Sequence, residues 1–332
     1  MLNRRELLSL LGTVAGLVLS VRKLPGSAAS RLSVDNLLSE YPVELPAPLV
    51  ASYRADVVVT LLGVPIFSRK GVGGAFATLK EAVGGDRKLV SLQFAGGADP
   101  ARTHGFKYDG SLEEAVLEQG SMRPRAAYFG FVTSSSNEEG LDQARKRVMT
   151  EPGRHSAYAA AEGVHVDGCA RCEKSAITLP EQPGRDLSSL IREMRDSFRG
   201  ADRTALELRT SSGSAPTTFL YTVLSAIRSD QPRSRLNYVH NAREYRLEWE
   251  RTPDPHTGAA LAAAGLIAPH SSVMRLSGHV TCLSTRGNST FRLWLADPSV
   301  VPLKIEFQPR PYLRISLETA EAQPNHEAKE VS

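Results

Sequence analysis

Two cysteines separated by two residues are the residues in this sequence whose spacing most clearly suggests chemistry. Cys169 and Cys172 could form a local disulfide, hold part of a metal site or act as a redox pair. The spacing favours a simple disulfide in an oxidising compartment. A metal site completed by His155 or His165 and a redox centre remain as alternatives. Cys282 lies in a predicted strand and is expected to be a small buried residue.

Other catalytic patterns are incomplete. Glu173 follows the second cysteine, at the position where a c-type haem site requires histidine. Residues 71–74 (GVGG) lack the third glycine of a dinucleotide-binding loop, and we interpret them as a hairpin turn. Glu113 and Glu114 would point apart on a helix or a strand, so we expect them to face solvent. The sequence therefore predicts no catalytic residue and no cofactor.

The composition is that of a folded protein without a nucleic-acid surface. Hydrophobic residues make up 41% of the 332 residues and charged residues 23%, which is enough for a sizeable core. The formal net charge is +4, the basic and acidic residues are interspersed, and aromatic residues are only 6%. A nucleic-acid binder would concentrate its basic residues on one face with aromatic residues among them. We therefore expect no nucleic-acid partner.

The first residues are typical of an export signal. Arg4 and Arg5 precede an apolar run over residues 7–21, and together they resemble the twin-arginine motif. Small residues at 27–29 predict cleavage after Ala29, with the twin-arginine export machinery and a signal peptidase as partners. The run is about fifteen residues, shorter than the roughly twenty that span a bilayer. No later segment is long and apolar enough to span one, so the mature chain is predicted to be soluble and periplasmic or otherwise exported.

The rest of the chain is predicted to be mainly β, a β-rich α+β fold. Residues 1–29 are the signal, 30–50 an extended lead-in, 51–320 one β-rich domain with a more helical excursion at about 130–200, and 321–332 a polar tail. Short alternating segments predict antiparallel strands, and apolar residues at helical spacing predict helices. We expect residues 152–183 to be irregular surface structure. The predicted strands are 53–61, 88–94, 128–133, 236–240, 245–249, 274–283, 290–295, 303–307 and 313–317, and the predicted helices are 141–149, 186–198, 219–228 and 259–267.

Three segments of the C-terminal half carry a resemblance: LSAIR at 224–228, FRLWLAD at 291–297 and VPLKIE at 301–306. They resemble a family of uncharacterised exported bacterial proteins, described only as a domain of unknown function. The resemblance extends over about residues 217–318 and is weaker at residues 53–79. The resemblance implies a curved antiparallel sheet or half-barrel with a few covering helices, similar in appearance to lipoprotein carriers. Trp294, Asp297 and Pro302 form its signature, a tight hairpin whose role is packing.

The resemblance and the incomplete catalytic patterns lead to one expected function and two alternatives. We expect a non-enzymatic periplasmic binding or carrier protein for an apolar ligand such as a lipid. The first alternative is an exported metal-binding or redox protein centred on Cys169 and Cys172, with His165 as a further ligand. The second alternative is a scaffold in the cell envelope.

Overall fold

The computed structural model describes residues 33–39, 46–61, 64–98, 102, 109–120, 122–133, 155–166, 168–182, 185–209, 218–285, 287–310 and 313–320. The predicted signal with Arg4 and Arg5, the predicted helix at 141–149 and the polar tail lie outside these residues. Within the described part of the chain, no helix is long and apolar enough to cross a membrane.

The described residues form four helices and fourteen strands. The helices are α1 (Val34–Ser39), α2 (Leu187–Gly200), α3 (Phe219–Arg228) and α4 (Pro255–Ala263). The strands are β1 (Leu49–Leu61), β2 (Val64–Gly84), β3 (Arg87–Ala98), β4 (Asp109–Gln119), β5 (Arg125–Thr133), β6 (His155–Val166), β7 (Cys169–Pro180), β8 (Thr204–Arg209), β9 (Arg233–His240), β10 (Arg243–Pro253), β11 (Val273–Cys282), β12 (Asn288–Ala296), β13 (Lys304–Arg310) and β14 (Leu313–Thr319).

All fourteen strands belong to one antiparallel sheet, in the order β8-β7-β6-β5-β4-β3-β2-β1-β14-β13-β12-β11-β10-β9. The chain meanders outward from β1 to β8, passes through α3, and returns from β9 to β14, which pairs with β1. Consecutive strands are therefore sheet neighbours except β8 and β9, and β1 and β14 pair although they are the first and last strands. The predicted mainly β fold with a curved antiparallel sheet is confirmed, and the two edge strands, β8 and β9, do not pair with each other.

The sheet must curl, because α3 touches strands that are far apart in the sheet order. On one side of the helix, Leu224 packs on Val90 and Leu92 of β3. On the other side, Ala226 and Ile227 belong to a cluster with residues of β9–β12. The helix is therefore enclosed by the two halves of the sheet, and the surface that contacts it is the inner face.

The outer face of β3–β7 is covered by α1 and α2. Leu190, Ile191, Met194 and Phe198 of α2 recur at helical spacing and pack on that face in the largest hydrophobic cluster of the described residues. Asp186 accepts a hydrogen bond from the backbone N–H of Ser189 at 2.9 Å and so caps the helix. The predicted helix at 186–198 is confirmed, and both faces of the sheet are covered in this region.

The structure corrects three local predictions. Residues 71–74 are not a turn but lie inside the 21-residue strand β2, where Gly71 has a φ of 60° next to an irregularity in the β1–β2 register. A side chain at Gly73 would meet the carbonyl oxygen of Gly97 at 1.9 Å, so glycine there permits close strand approach. Residues 152–183 are not irregular surface structure but hold the β6–β7 hairpin. Residues 30–50 are not wholly extended, because α1 lies within them.

The signature hairpin of the C-terminal half lies between β12 and β13. Trp294 pairs with Lys304 across the two strands, its indole N–H donates to Asp254 at 2.8 Å, and it packs in a cluster with Leu261 of α4. Asp254 also caps α4, whose observed span begins four residues before the predicted one. The hairpin therefore joins the sheet to α4.

The other two signature residues anchor the hairpin to the rest of the fold. The backbone N–H of Asp297 donates to Ser272 at 3.0 Å. The backbone carbonyl of Pro302 accepts a hydrogen bond from the hydroxyl of Tyr53 on β1 at 2.9 Å. The three signature residues thus connect the hairpin to α4, to the segment before β11 and to β1.

Candidate functional site

A row of side chains crosses the inner face of four neighbouring strands. The register places Glu114 of β4 opposite Tyr128 of β5, Tyr128 opposite Gly163 of β6, and Gly163 opposite Cys172 of β7. His165 lies two residues beyond Gly163, on the same face in the adjacent row. Glu114, Tyr128 and His165 are fully buried, and Cys172 is 1% exposed. Four polar groups thus meet inside the curl of the sheet.

Gly163 determines how Tyr128 lies in this row. A Cβ atom at Gly163 would come within 2.3 Å of the ring carbons of Tyr128 and 2.4 Å of its hydroxyl oxygen. No real side chain fits at that distance, so the absence of a Cβ atom lets the tyrosine ring lie across β6 towards β7.

The tip of the β9–β10 hairpin docks onto this row. Asn241 and Ala242 form the tip with φ values of 52° and 53°, as a tight hairpin turn requires. The backbone N–H of Asn241 donates to the Tyr128 hydroxyl at 2.9 Å, and that hydroxyl donates to the Asn241 side-chain oxygen at 3.3 Å. The thiol of Cys172 contacts the same oxygen at 3.8 Å. The tip therefore contacts β5 and β7 on the inner face.

Two histidines complete the polar cluster. The ring centroids of His240 and Tyr128 are 4.9 Å apart, and those of His165 and Tyr128 are 6.0 Å apart. Both ring nitrogens of His165 and the Nδ1 atom of His240 are buried and have no hydrogen-bond partner among the described residues. Each unpaired buried polar atom costs about 1–3 kcal/mol. These nitrogens are therefore free to bond a polar atom that enters the interior.

Burial keeps the two histidines, Cys172 and Tyr128 uncharged near neutral pH. It lowers the pKa of His165 to about 4 and that of His240 to about 3, and it raises the pKa of the Cys172 thiol. It also raises the pKa of Tyr128. The histidines are neutral hydrogen-bonding groups, and Cys172 is a thiol and not a thiolate nucleophile. The arrangement suits holding a molecule by hydrogen bonds better than charged acid–base chemistry.

Glu114 joins the cluster to α3. Its two carboxylate oxygens accept hydrogen bonds from the backbone N–H groups of Leu220 and Tyr221, each at 3.0 Å. These N–H groups belong to the first turn of the helix and have no partner within it. Burial raises the pKa of Glu114 from 4.5 to about 7. The expectation that Glu114 faces solvent is wrong, because β4 turns it inward while Glu113, on the other face, pairs with Arg195 of α2.

The structure separates the predicted cysteine pair. Cys169 and Cys172 stand three residues apart on strand β7, so their side chains point to opposite faces of the sheet. All three cysteines of the chain are free thiols, and the expected disulfide between Cys169 and Cys172 is not formed. The expected disulfide requires a loop at this CxxC pair. In a strand, the two side chains lie on opposite faces of the sheet, and the two sulfur atoms cannot meet.

The alternative metal ligands are also dispersed. Cys172 and His165 share the inner face, whereas Cys169 is on the outer face and His155 stands at the opposite end of β6, paired with Pro180. Among the residues that the structure describes, no group of three His, Cys, Asp or Glu side chains is arranged to hold a metal ion.

Sequence reasoning missed most of this cluster. Tyr128 was placed in a strand, but nothing in its local pattern indicates a partner 113 residues away at Asn241. From the sequence, Cys172 is a candidate for a disulfide, a metal site or a redox pair and His165 for a metal site, and His240 has no predicted role. A signal was present in Gly163, since a glycine within a strand often marks a close approach by a neighbouring group.

The fold and this cluster define a class: a mostly β protein in which a curved, unclosed antiparallel sheet encloses one helix and a neutral polar cluster. No family model matches the chain, and no curated protein matches it. Among solved structures it is similar to a beta-barrel-like protein of a domain of unknown function, DUF1849, from Brucella abortus. The two are 8% identical with a TM-score of 0.42, over 82% of this chain and 96% of the other.

Proposed function

We propose that this chain is an exported, non-enzymatic protein that binds or carries an apolar small molecule such as a lipid inside the curved sheet. The observation that carries the proposal is the half-buried inner floor of β6 and β7. Ala159, Ala161 and Ala176 face inward and are only partly buried, whereas Tyr158 and Ala160, which face α2 on the other side, are at most 2% exposed. An accessible apolar surface inside a fold is a common feature of ligand sites.

The open seam supplies a route to this floor. Because β8 and β9 do not pair, an apolar molecule can enter between them without breaking hydrogen bonds of the sheet. Apolar side chains line both sides of the seam: Leu206 and Leu208 on the inward face of β8, and Leu236, which is 38% exposed, on β9. The seam therefore suits an apolar molecule better than a charged one.

Native mass spectrometry of the protein recovered from the periplasm, before and after denaturation, tests the proposal. We expect a mass loss on denaturation that matches a lipid or another apolar molecule. Leu236→Glu should abolish it, because a charge in the seam opposes the entry of an apolar chain. Leu283→Glu is the matched control, since Leu283 is 37% exposed in the β11–β12 turn. A metal mass would favour the metal-binding alternative, and a co-purifying protein without a small molecule would favour the scaffold.

Export is tested separately. The proposal is supported by the arginine pair and apolar run at the start of the sequence. Replacing Arg4 and Arg5 with lysine should retain the protein in the cytoplasm, and the exported form should begin at Ser30. An unprocessed wild-type chain that stays in the cytoplasm would refute the export proposal without affecting the binding proposal.

A further inference from the structure

One lysine lies on the inner face of the sheet beside the neutral cluster. Lys174 follows Cys172 by two residues on β7, and the register places it in a row with Gly130 of β5, Ala161 of β6 and Thr204 of β8. Its side chain is half-buried. The other residues of this row are small: a glycine, an alanine and a threonine.

Lys174 has no acidic partner there. On the inner faces of β5, β6 and β7, the alternation places no Asp or Glu and no other Lys or Arg. Glu162 and Glu173 are on the outer face, where Glu173 pairs with Arg171 and Arg203. Within the described residues, the side chain of Lys174 forms no ion pair or hydrogen bond.

Two histidines of the cluster offer unpaired ring nitrogens to an anion. Burial lowers the pKa of His240, and the positive charge of Lys174 is close enough to lower it further. His165 is fully buried two rows from Lys174, and one of its two unpaired ring nitrogens is a donor in the neutral ring. Glu114 lies on β4, three strands from β7, and both of its oxygens accept hydrogen bonds from the start of α3. A half-buried cation beside unpaired donors is a binding site for a carboxylate or phosphate.

We propose that the ligand is an anionic amphiphile: its acidic head is held by Lys174 with the His165 and His240 side chains, and its apolar chain lies on the alanine floor towards the seam. This inference rests on the proposed binding function and specifies the chemistry of the ligand. A fatty-acid carboxylate is the simplest molecule of this class.

Paired probes that differ only in their heads test the inference. Binding of laurate and of dodecanol to the intact protein is measured by isothermal titration calorimetry at pH 8 for wild type, Lys174→Met, Lys174→Arg and the control Lys70→Met. Lys70 is an exposed lysine on β2. We expect wild type to prefer laurate, Lys174→Met to bind laurate about tenfold more weakly with dodecanol binding unchanged, and Lys174→Arg to retain most of the preference. The control should match wild type.

The outcomes separate this inference from the proposed function. If Lys174→Met binds both probes as wild type does, the anionic head is refuted and the binding function stands. If wild type prefers dodecanol, the inference is overturned in the same way. If neither probe binds to a wild-type protein with a native circular dichroism spectrum, and no apolar mass is lost in native mass spectrometry, the binding function itself fails.

Discussion

Adding one methyl group at Gly163 should disturb the whole polar cluster. In the Gly163→Ala variant, the new Cβ atom would stand 2.3 Å from the ring of Tyr128, so the ring has to move. Tyr128 cannot move without loosening its hydrogen bonds to Asn241, which hold the β9–β10 hairpin against β5. A conservative change on β6 should therefore detach a contact between the two halves of the sheet.

The expected change in the free energy of unfolding combines two destabilising contributions with one stabilising contribution. Overpacking a buried site costs about 1–3 kcal/mol, and the lost hydrogen bonds cost about 1 kcal/mol more. Replacing glycine with alanine in a strand recovers roughly 0.5–1 kcal/mol of unfolded-state entropy. The free energy of unfolding should fall by about 2 kcal/mol. With an m value of about 2–3 kcal/mol/M, the urea midpoint should drop by roughly 0.7–1 M.

Urea titration followed by tryptophan fluorescence measures this shift, with Gly200→Ala as the matched control. A Cβ atom at Gly200, the last residue of α2, meets nothing within 4 Å, so this variant should be as stable as wild type or slightly more stable. Tyr128→Phe should destabilise the wild-type protein more than it destabilises Gly163→Ala, because the alanine has already disrupted the same hydrogen bonds. Equal midpoints for Gly163→Ala and wild type would refute the proposed packing of Tyr128 over Gly163.

Three further predictions concern charge and thiol chemistry. Burial raises the folded-state pKa of Glu114 from 4.5 to about 7, so the folded protein binds more protons than the unfolded chain between these values. Its stability should therefore fall as pH rises from about 4.5 to about 7, and Glu114→Gln should flatten this dependence in urea titrations; an unchanged slope would count against the buried carboxyl. The Arg228 guanidinium lowers the pKa of Glu81. The ion pair therefore stabilises the fold at pH values above the ordinary pKa of a glutamate, and this stabilisation is lost as pH falls through the lowered pKa. Arg228→Met should cost about 1 kcal/mol at pH 7, and this cost should shrink as pH falls through the lowered pKa of Glu81. Under native conditions iodoacetamide should modify the partly exposed Cys169 before the buried Cys172, whose pKa burial raises, and a peptide map showing Cys169 oxidised to a disulfide would contradict the structure.

Much of the fold could be predicted from local patterns. The strands of the C-terminal half alternate apolar and polar residues between turn residues, and six of them were placed within a few residues of their observed bounds. Helix α3 was predicted at its observed bounds, because ten mostly apolar residues without Gly or Pro follow a polar segment. These strands and this helix could be predicted because they depend on the pattern of residues close together in the sequence.

The β5–β7 region could not be predicted in the same way, because both of its faces are covered. Residues 126–129 of β5 are all buried, half of them under α2 and half inside the curl, so the period of two that marks a half-exposed strand is lost. Short residues such as the alanines of β6 carry a weak strand signal, and the hairpin was mistaken for irregular structure.

The sequence by itself determined the class of the fold and, to within two residues, the boundaries of α2 and α3. Only the tertiary structure decided which residues meet inside the sheet. It turned Glu114 inward, separated Cys169 from Cys172, and brought Tyr128 to Asn241. The physical reason is that strand register and sheet curvature bring together residues distant in sequence, and a residue's local pattern contains no information about a partner more than a hundred residues away.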